Sequence, residues 1–395
     1  MSSFSDLGVS ARVCAVLAKR DIHEPFKVQT LVMRDALAGR DVLAKSQTGS
    51  GKTLAFGLPI VERLDASRPR PAALVLVPTR ELAVQVTEEL TDVAKVQRLR
   101  IAPVYGGVSL PDQARKASAA HIVVATPGRL QDLLDRRLLS MKSVEILVLD
   151  EADRMLDMGF RPQVDRILRD VPHNRQTMFF SATLDGPVGR LARSYTNEAV
   201  LHEVHSPKQT VAEAEHRFVP VTREEKVAKL IELIREQGGT TLVFVRTKRG
   251  ADRLAYRLKK QNVKAVGMHA DLTQGARRRA LEQLASGKAK VLVATDVAAR
   301  GLDLDNIEHV INFDPPGDVK DYVHRVGRTA RAGRSGTGTT LVLPDQQHDV
   351  SRMAAHLELR DQFEVHGMEV GPPRMVYSSH KGRRSMMRAR TKRKF

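Results

Sequence analysis

The sequence predicts two α/β domains built on parallel sheets, followed by a basic C-terminal tail. Three observations predict it. Short apolar runs recur along the chain, with stretches of helical period between them. Runs such as Leu74-Val75-Leu76-Val77 and Val291-Leu292-Val293-Ala294 are apolar on both faces, as parallel strands buried between helix layers must be. One aperiodic stretch divides the runs into two sets.

The first set lies at 41–45, 72–77, 101–105, 121–126, 145–150 and 177–181. The second lies at 216–221, 240–245, 264–268, 290–295, 308–313 and 339–343. Between strands the period is helical. Thr222 with Glu225 forms a capping-box pattern, followed by Val227, Leu230, Ile231 and Ile234 and closed by Gly238 and Gly239. The dividing stretch, 203–215, holds Pro207, Gln209 and Thr210. The domains are therefore placed at 1–204 and 216–366, with a linker over 205–215 and a tail over 367–395. Residues between Gln346 and Gly367 have the pattern of a terminal helix.

Length and composition bound the function. At 395 residues the chain holds two or three domains, and 42% apolar with 28% charged residues is a globular composition. No apolar run approaches the roughly 18 residues of a membrane span. The N-terminus has no basic start and no long apolar stretch, so no secretory leader is expected. Cys14 is the only cysteine, which excludes an internal disulfide and a cysteine-based zinc site, and reads as a small core hydrophobe. A reducing, cytoplasmic setting fits best.

The 64 basic and 46 acidic residues leave a net charge of +18, which points to a polyanionic partner. Half of that excess sits in 371–395. This segment carries Arg374, Lys381, Arg383, Arg384, Arg388, Arg390, Lys392, Arg393 and Lys394 and no acid. With Pro372, Pro373 and Gly382 and few apolar residues, it reads as a disordered basic tail that binds a phosphate backbone by counterion release.

Two segments carry nucleotide chemistry. Ser46, Gln47, Thr48, Gly49, Ser50, Gly51, Lys52 and Thr53 follow a predicted strand and precede a predicted helix, the context a phosphate loop requires. Gly49 and Gly51 let the backbone curl so that N–H groups face phosphate oxygens, and the helix N-terminus adds partial positive charge. Lys52 is placed to reach the β- and γ-phosphates and the Thr53 hydroxyl to ligate Mg²⁺. Ser46 stands where the pattern has glycine. About 100 residues on, the strand Ile146-Leu147-Val148-Leu149 ends in Asp150 and Glu151. Asp150 fits a Mg²⁺ ligand and Glu151 a group that orients or deprotonates water. The second unit lacks a phosphate loop but places Arg325, Arg328 and Arg331 three apart, with Asp296 and Arg300 upstream. Guanidinium groups delivered from another domain can stabilise charge on a transferring phosphoryl group.

With Asp150-Glu151-Ala152-Asp153 the ordered motif set resembles the DEAD-box RNA helicases, from about Phe4 to about Pro344. The style is closest to compact bacterial members with a basic tail. The resemblance implies two tandem RecA-like domains, ATP and Mg²⁺ as cofactors, and RNA as partner. It implies that Gln29 reads the adenine edge, with Phe4 upstream and Ile22 and Lys27 in the same base-binding segment. Pro78, Thr79, Arg80, Gly106, Gly107, Thr126, Pro127, Gly128 and Arg129 resemble the first domain's RNA-backbone contacts. Arg246, Thr247, Gln274, Arg277, Thr295 and Asp296 resemble those of the second. Gly301 and Asp303 resemble nucleotide-side residues, and Arg328 and Arg331 the arginines that reach the γ-phosphate. Ser181 and Thr183 resemble the segment coupling hydrolysis to domain closure, which His324 supports.

Thr, Gly and Arg at loop and helix starts suit backbone phosphates and carry no base code, so sequence-tolerant binding of single strands and short duplexes is expected. The implied activity is RNA-stimulated ATP hydrolysis that separates short duplexes or remodels RNA–protein complexes, in a monomer. An ATP-gated RNA clamp acting on ribonucleoprotein particles would carry the same motifs; a DNA-directed motor is the other rival. Five residues depart from the family pattern. Ile22 replaces a usual adenine-stacking aromatic, Phe26-Lys27 a usual small residue and proline, and Ala270 and Ala330 usual glycines.

Overall fold

Strands buried on both faces must alternate their side chains between two helix layers, and this chain does so twice. A computed structural model describes residues 3–46, 50–204, 214–299, 307–329 and 336–369, with Pro187 and Lys320 as backbone only. The first sheet is built from β1 (Val42–Lys45), β2 (Ala73–Leu76), β3 (Ile101–Val104), β4 (Ile122–Ala125), β5 (Ile146–Leu149), β6 (Gln176–Ser181) and β7 (Val200–Glu203). The second uses β8 (Ala214–Pro220), β9 (Thr241–Phe244), β10 (Ala265–Met268), β11 (Val291–Ala294), β12 (His309–Asn312) and β13 (Gly336–Val342). The orders are β3-β4-β2-β5-β6-β1-β7 and β10-β11-β9-β12-β13-β8, and the pairings are parallel in both sheets.

The alternation is visible strand by strand. Ile146 and Val148 enter one core of the first domain, with Val42, Ala44, Val75 and Phe180. Leu147 and Leu149 enter the other, with Leu43, Leu74, Leu76 and Phe179. Val243, Val291, Val293 and Ile311 share one core of the second domain, and Leu242, Phe244, Leu292 and Val310 the other. Burying a side chain of this size contributes about 1.5–3 kcal/mol against exposure.

The terminal pattern is part of the second domain's core. Helices Gln347–His356 and Arg360–Glu364 cover β8. Phe363 is buried edge-on against Phe218 at 5.3 Å, and Phe218 stacks with Tyr322 at 6.1 Å. The Tyr322 hydroxyl lies 2.7 Å from His216 Nδ1.

Three features differ from the sequence expectation. β7 has no counterpart among the expected strands; it is half-exposed at the sheet edge, and VLHE gives no apolar run. Ala214 and Glu215, assigned to the linker, are the first residues of β8, which pairs with β13 from Gly336. Thr222 Oγ1 accepts from Glu225 N at 3.3 Å and donates to its carboxylate at 2.8 Å, but this pair closes a turn just ahead of the helix Lys226–Gln237. Gly238 ends that helix in the left-handed region. Cys14 is half-buried against the first core; burial pushes its thiol up, and Sγ donates to Val9 O at 3.6 Å. Among the described residues no helix is long and apolar enough to cross a membrane. The basic segment 371–395 lies outside the described residues.

Candidate functional site

The sheet order places three loops side by side, because β5, β6 and β1 are neighbours whose C-terminal ends carry them. Lys45 aligns with Ser181, and Ser46 N donates to Ser181 O at 2.9 Å. Gly51 sits at φ +83°, a conformation an L side chain rarely adopts, and opens the helix Lys52–Arg63. Lys52 is 7% exposed. Its ammonium donates to Ser46 O at 3.3 Å and lies 3.9 Å from Asp150 Oδ1. Ser50 Oγ donates to Ser46 Oγ at 3.1 Å, and Thr53 is half-buried in the first helical turn. Gln47, Thr48 and Gly49 lie outside the described residues.

Two adjacent buried carboxylates close the far side. Burial pushes the Asp150 carboxyl up to about 6, with Glu151 adding to the shift and Lys52 opposing it. Burial raises Glu151 as well, but Arg154, Lys52 and Arg328 outweigh it and hold Glu151 below the ordinary carboxylate range. Arg154 Nη1 donates to Glu151 Oε2 with both side chains buried. Glu151 itself sits at φ 49°, ψ 46°, a left-handed conformation disfavoured for a side chain of its size. Its backbone N–H donates to Asp150 Oδ1 at 2.8 Å, holding that turn. Arg154 carried no signal in the sequence beyond its position in the helix after Asp153.

The third loop is tied to the second through Asp153. Ser181 Oγ accepts from Asp153 N and from Thr183 N, each at 3.3 Å. Thr183 Oγ1 donates to Asp153 Oδ2 at 3.2 Å. A shift of the 181–183 loop therefore pulls on the turn that carries Glu151.

At the other end of the phosphate loop, Gln29 Oε1 accepts from Phe26 N and Gln29 Nε2 donates to Gly51 O, both at 2.8 Å. Gln29 is 1% exposed, beneath Phe26. Lys27 is exposed at the start of the helix Lys27–Leu37. Phe4, upstream of Gln29, is buried in the first core with Val28 and Val32. Ile22 is half-buried against the same cluster.

A second cleft, of about 400 Å³, opens at the ends of β2, β3 and β4 and is closed from the second domain. Thr79 caps the helix Arg80–Val96, its hydroxyl accepting from Leu82 N at 3.3 Å, just after Pro78. Arg80 lies across Gly106 and Gly107, where a Cβ on Gly107 would meet its Nη1 at 2.6 Å. Thr126 and Pro127 begin the helix Pro127–Asp135, and Gly128 faces open space. Arg129 Nη1 donates to Val108 O at 3.0 Å and Gln113 Oε1 at 2.9 Å. Ala270, Arg277 and Val297 line the same cleft from the second domain.

In that domain several expected RNA contacts already have partners. Arg277 Nε lies 2.8 Å from Glu81 Oε1 of the first domain, and its Nη1 donates to His269 O at 3.4 Å. Asp296 receives Arg325 Nε at 2.6 Å and Nη2 at 2.7 Å. Arg325 also donates to Asn312 Oδ1 and Asp314 O and lies over the Phe244 ring. That arginine holds Asp296 by a bidentate fork, a role its sequence pattern did not single out. Arg246 N donates to Asp314 Oδ2 at 2.8 Å, and Thr247 caps the helix Lys248–Lys260. Gln274 is half-buried at the start of Gln274–Ala285, and Thr295 is buried at the end of β11. Arg328 is 5% exposed, its Nε donating to His324 O at 3.4 Å, and its charge reaches Glu151 across the interdomain seam. Gly301, Asp303 and Arg331 lie outside the described residues.

Two α/β domains, a phosphate loop with paired carboxylates on one and an arginine facing them from the other, define a nucleotide-driven two-domain motor. The family descriptions "DEAD/DEAH box helicase" and "Helicase conserved C-terminal domain" match residues 26–191 and 225–333. The chain is 42% identical over 357 residues to the DEAD-box ATP-dependent RNA helicase CshA of Geobacillus kaustophilus, covering 89% of this chain and 76% of that one. It is 40% identical to CshA of Bacillus subtilis, covering 87% of this chain and 70% of that one. The structure of S. cerevisiae Dbp5 bound to RNA and ADP BeF3 aligns with a TM-score of 0.82 at 30% identity, over 91% of this chain and 94% of that one. The chain belongs to the DEAD-box ATP-dependent RNA helicase family, and its two sheets form RecA-like domains.

Proposed function

We propose that this protein is an RNA-dependent ATPase that separates short RNA duplexes or remodels RNA–protein complexes. The observation that carries this reading is one seam serving two clefts. The charge of Arg328 acts on Glu151 across it, and Glu81 meets Arg277 across it in the cleft lined by Arg80, Thr126 and Arg129. Closing the seam brings both sets of groups together, so nucleotide and RNA favour the same arrangement.

The phosphates lie against the loop that includes Ser46, Ser50, Gly51, Lys52 and Thr53, with Lys52 on the β- and γ-phosphates. A Mg²⁺ ion fits Thr53 and Asp150. Asp150 is a buried carboxylate beside a second one, and its ordinary charge needs a cation that Lys52 alone does not supply. Among the described residues no cluster of three or more acidic, His or Cys side chains forms a metal cage. The donor set is thus that of a cation held by few protein groups and by phosphate oxygens. When bound, Mg²⁺ neutralises charge on the β- and γ-phosphates. Glu151 accepts a proton from, or orients, the attacking water, and the charges of Arg154, Lys52 and Arg328 keep it ionised. Arg328, with Arg331, stabilises the charge that develops on the transferring group.

RNA lies across Pro78, Thr79, Arg80, Gly106, Gly107, Thr126, Pro127, Gly128 and Arg129 and the facing surface of Arg246, Thr247, Gln274, Arg277, Thr295 and Asp296. These contacts address phosphate and sugar, so binding tolerates sequence. We place the domains at 1–204 and 214–366 and read the chain as a cytoplasmic monomer. The test is steady-state ATP hydrolysis at low salt without nucleic acid, with single-stranded RNA, and with DNA of the same sequence. Glu151→Gln serves as the blank. Stimulation by RNA alone is expected. Equal stimulation by DNA, or none by either, would overturn the reading.

A further inference from the structure

We propose that the ring of Phe26 is the stacking surface for the nucleotide base, a contact indifferent to which purine is bound. The inference rests on the ATP-site reading above and adds a residue to it. Among the described residues two large aromatic side chains are strongly exposed, Phe26 and Tyr256, each at 59%. Tyr256 has Lys260 over its ring at 4.9 Å. Phe26 has the phosphate loop instead. A Cβ built on Gly51 would meet Phe26 Cδ2 at 2.5 Å and Gln29 Nε2 at 2.6 Å. Ring and amide thus share one side of the residue that immediately precedes Lys52.

That placement constrains what the base can touch. The Gln29 amide is committed to Phe26 N and Gly51 O and is 1% exposed. Ile22 is aliphatic and half-buried against the first core, so it offers no π face. The Phe26 ring is the large flat apolar surface left beside the loop. A base attached to phosphates seated at Gly51 and Lys52 is tethered beside it. Covering an aromatic ring with a base removes apolar surface from water and adds stacking, and stacking accepts any base because each has a π face. Phe26 therefore supplies affinity, while discrimination between purines stays with groups that meet the base edge.

The experiment measures binding of ADP, GDP and inorganic pyrophosphate to the full chain by calorimetry, for wild type, Phe26→Ala, Phe26→Trp and Lys52→Ala. Phe26→Ala is expected to weaken ADP and GDP alike, by about tenfold, and to leave pyrophosphate unchanged. Phe26→Trp is expected to restore ADP binding. Because the chain contains no tryptophan, the emission of that residue reports the site alone, and ADP quenches it while pyrophosphate does not. Unchanged ADP affinity in Phe26→Ala would overturn the proposal. So would a parallel loss of ADP and pyrophosphate, which would make the ring a prop for the loop. Lys52→Ala separates the premises: if it leaves both ADP and pyrophosphate untouched, the phosphate-loop reading itself fails, whatever Phe26 does.

Discussion

Glu81 of the first domain and Arg277 of the second face each other at 2.8 Å, each side chain only 8% exposed. The N–H does not point along the line to the oxygen, so the contact is one of charge rather than a directed hydrogen bond. Removing one partner of a buried pair leaves the other charge stranded, at a cost of roughly 3–5 kcal/mol. Glu81→Gln is therefore expected to disfavour the closed arrangement and lower RNA-stimulated turnover about tenfold or more. Thermal unfolding of each domain should not move. Exchanging the charges, Glu81→Arg with Arg277→Glu, should recover much of the loss. Wild-type stimulation in Glu81→Gln would show that the pair plays no part in closure.

Thr183 offers a cleaner separation of hydrolysis from work. Its hydroxyl donates to Asp153 Oδ2, and Asp153 lies on the turn that carries Glu151. Thr183→Val keeps the volume and deletes one hydrogen bond worth about 1 kcal/mol. ATP turnover should stay within about twofold of wild type, since the hydroxyl touches neither carboxylate of the Asp150–Glu151 pair. Duplex separated per ATP hydrolysed should fall. Measuring both rates on one substrate decides it; an unchanged ratio would mean the Asp153 link does not transmit motion.

How much of this was legible in the sequence depends on where the partner of each residue lies. Lys52, Asp150 and Glu151 were legible because short, ordered spacings fix them on one strand end. Arg154 and Glu81 were not, and Arg325 was legible only as one of three spaced arginines, not as the partner of Asp296. A buried arginine that forks onto Asp296 from 29 positions away looks, in sequence, like any surface arginine of a strongly basic chain. The strands of both sheet interiors announced themselves as two-faced apolar runs, whereas edge strand β7, half wet, could not. Phe4 and Phe26 show the limit most plainly. Motif position grouped Phe4 with the nucleotide-side residues, and its ring is buried in the core, while Phe26, which motif position marked only as a departure, is the exposed one.

His309 gives the second domain a pH dependence. The ring is buried in β12 with Nε2 2.8 Å from Thr339 Oγ1, while Nδ1 has no hydrogen-bond partner. Burial lowers its pKa to about 4; Arg217 adds to the shift and Glu215 opposes it. A lowered histidine pKa means the unfolded chain takes up a proton near pH 6.5 that the folded ring refuses until about 4. The contribution is therefore fully present above pH 6.5 and lost as pH falls through that window, amounting to about 3 kcal/mol. Urea unfolding of wild type and His309→Gln at pH 7 and pH 4.5 tests this. The gap in midpoint between the two should change across that interval in favour of the variant at low pH. Parallel curves would place the acid sensitivity elsewhere.

The basic segment 371–395 makes a prediction about salt rather than about catalysis. It holds nine positive charges and no negative ones, half of the chain's net +18. Each phosphate that such a segment neutralises on a single strand steepens the dependence of log affinity on log salt by about 0.7. Three engaged charges would thus account for a slope of about 2, and all nine for about 6. Deleting 371–395 should flatten the slope by an amount in that range and weaken RNA binding most at low salt. ATP hydrolysis without RNA should be unaffected, since the described groups around Lys52, Asp150, Glu151 and Arg328 all precede residue 330. A weaker affinity with an unchanged slope would exclude counterion release as the tail's contribution, because a charge that meets phosphate cannot do so without displacing its salt.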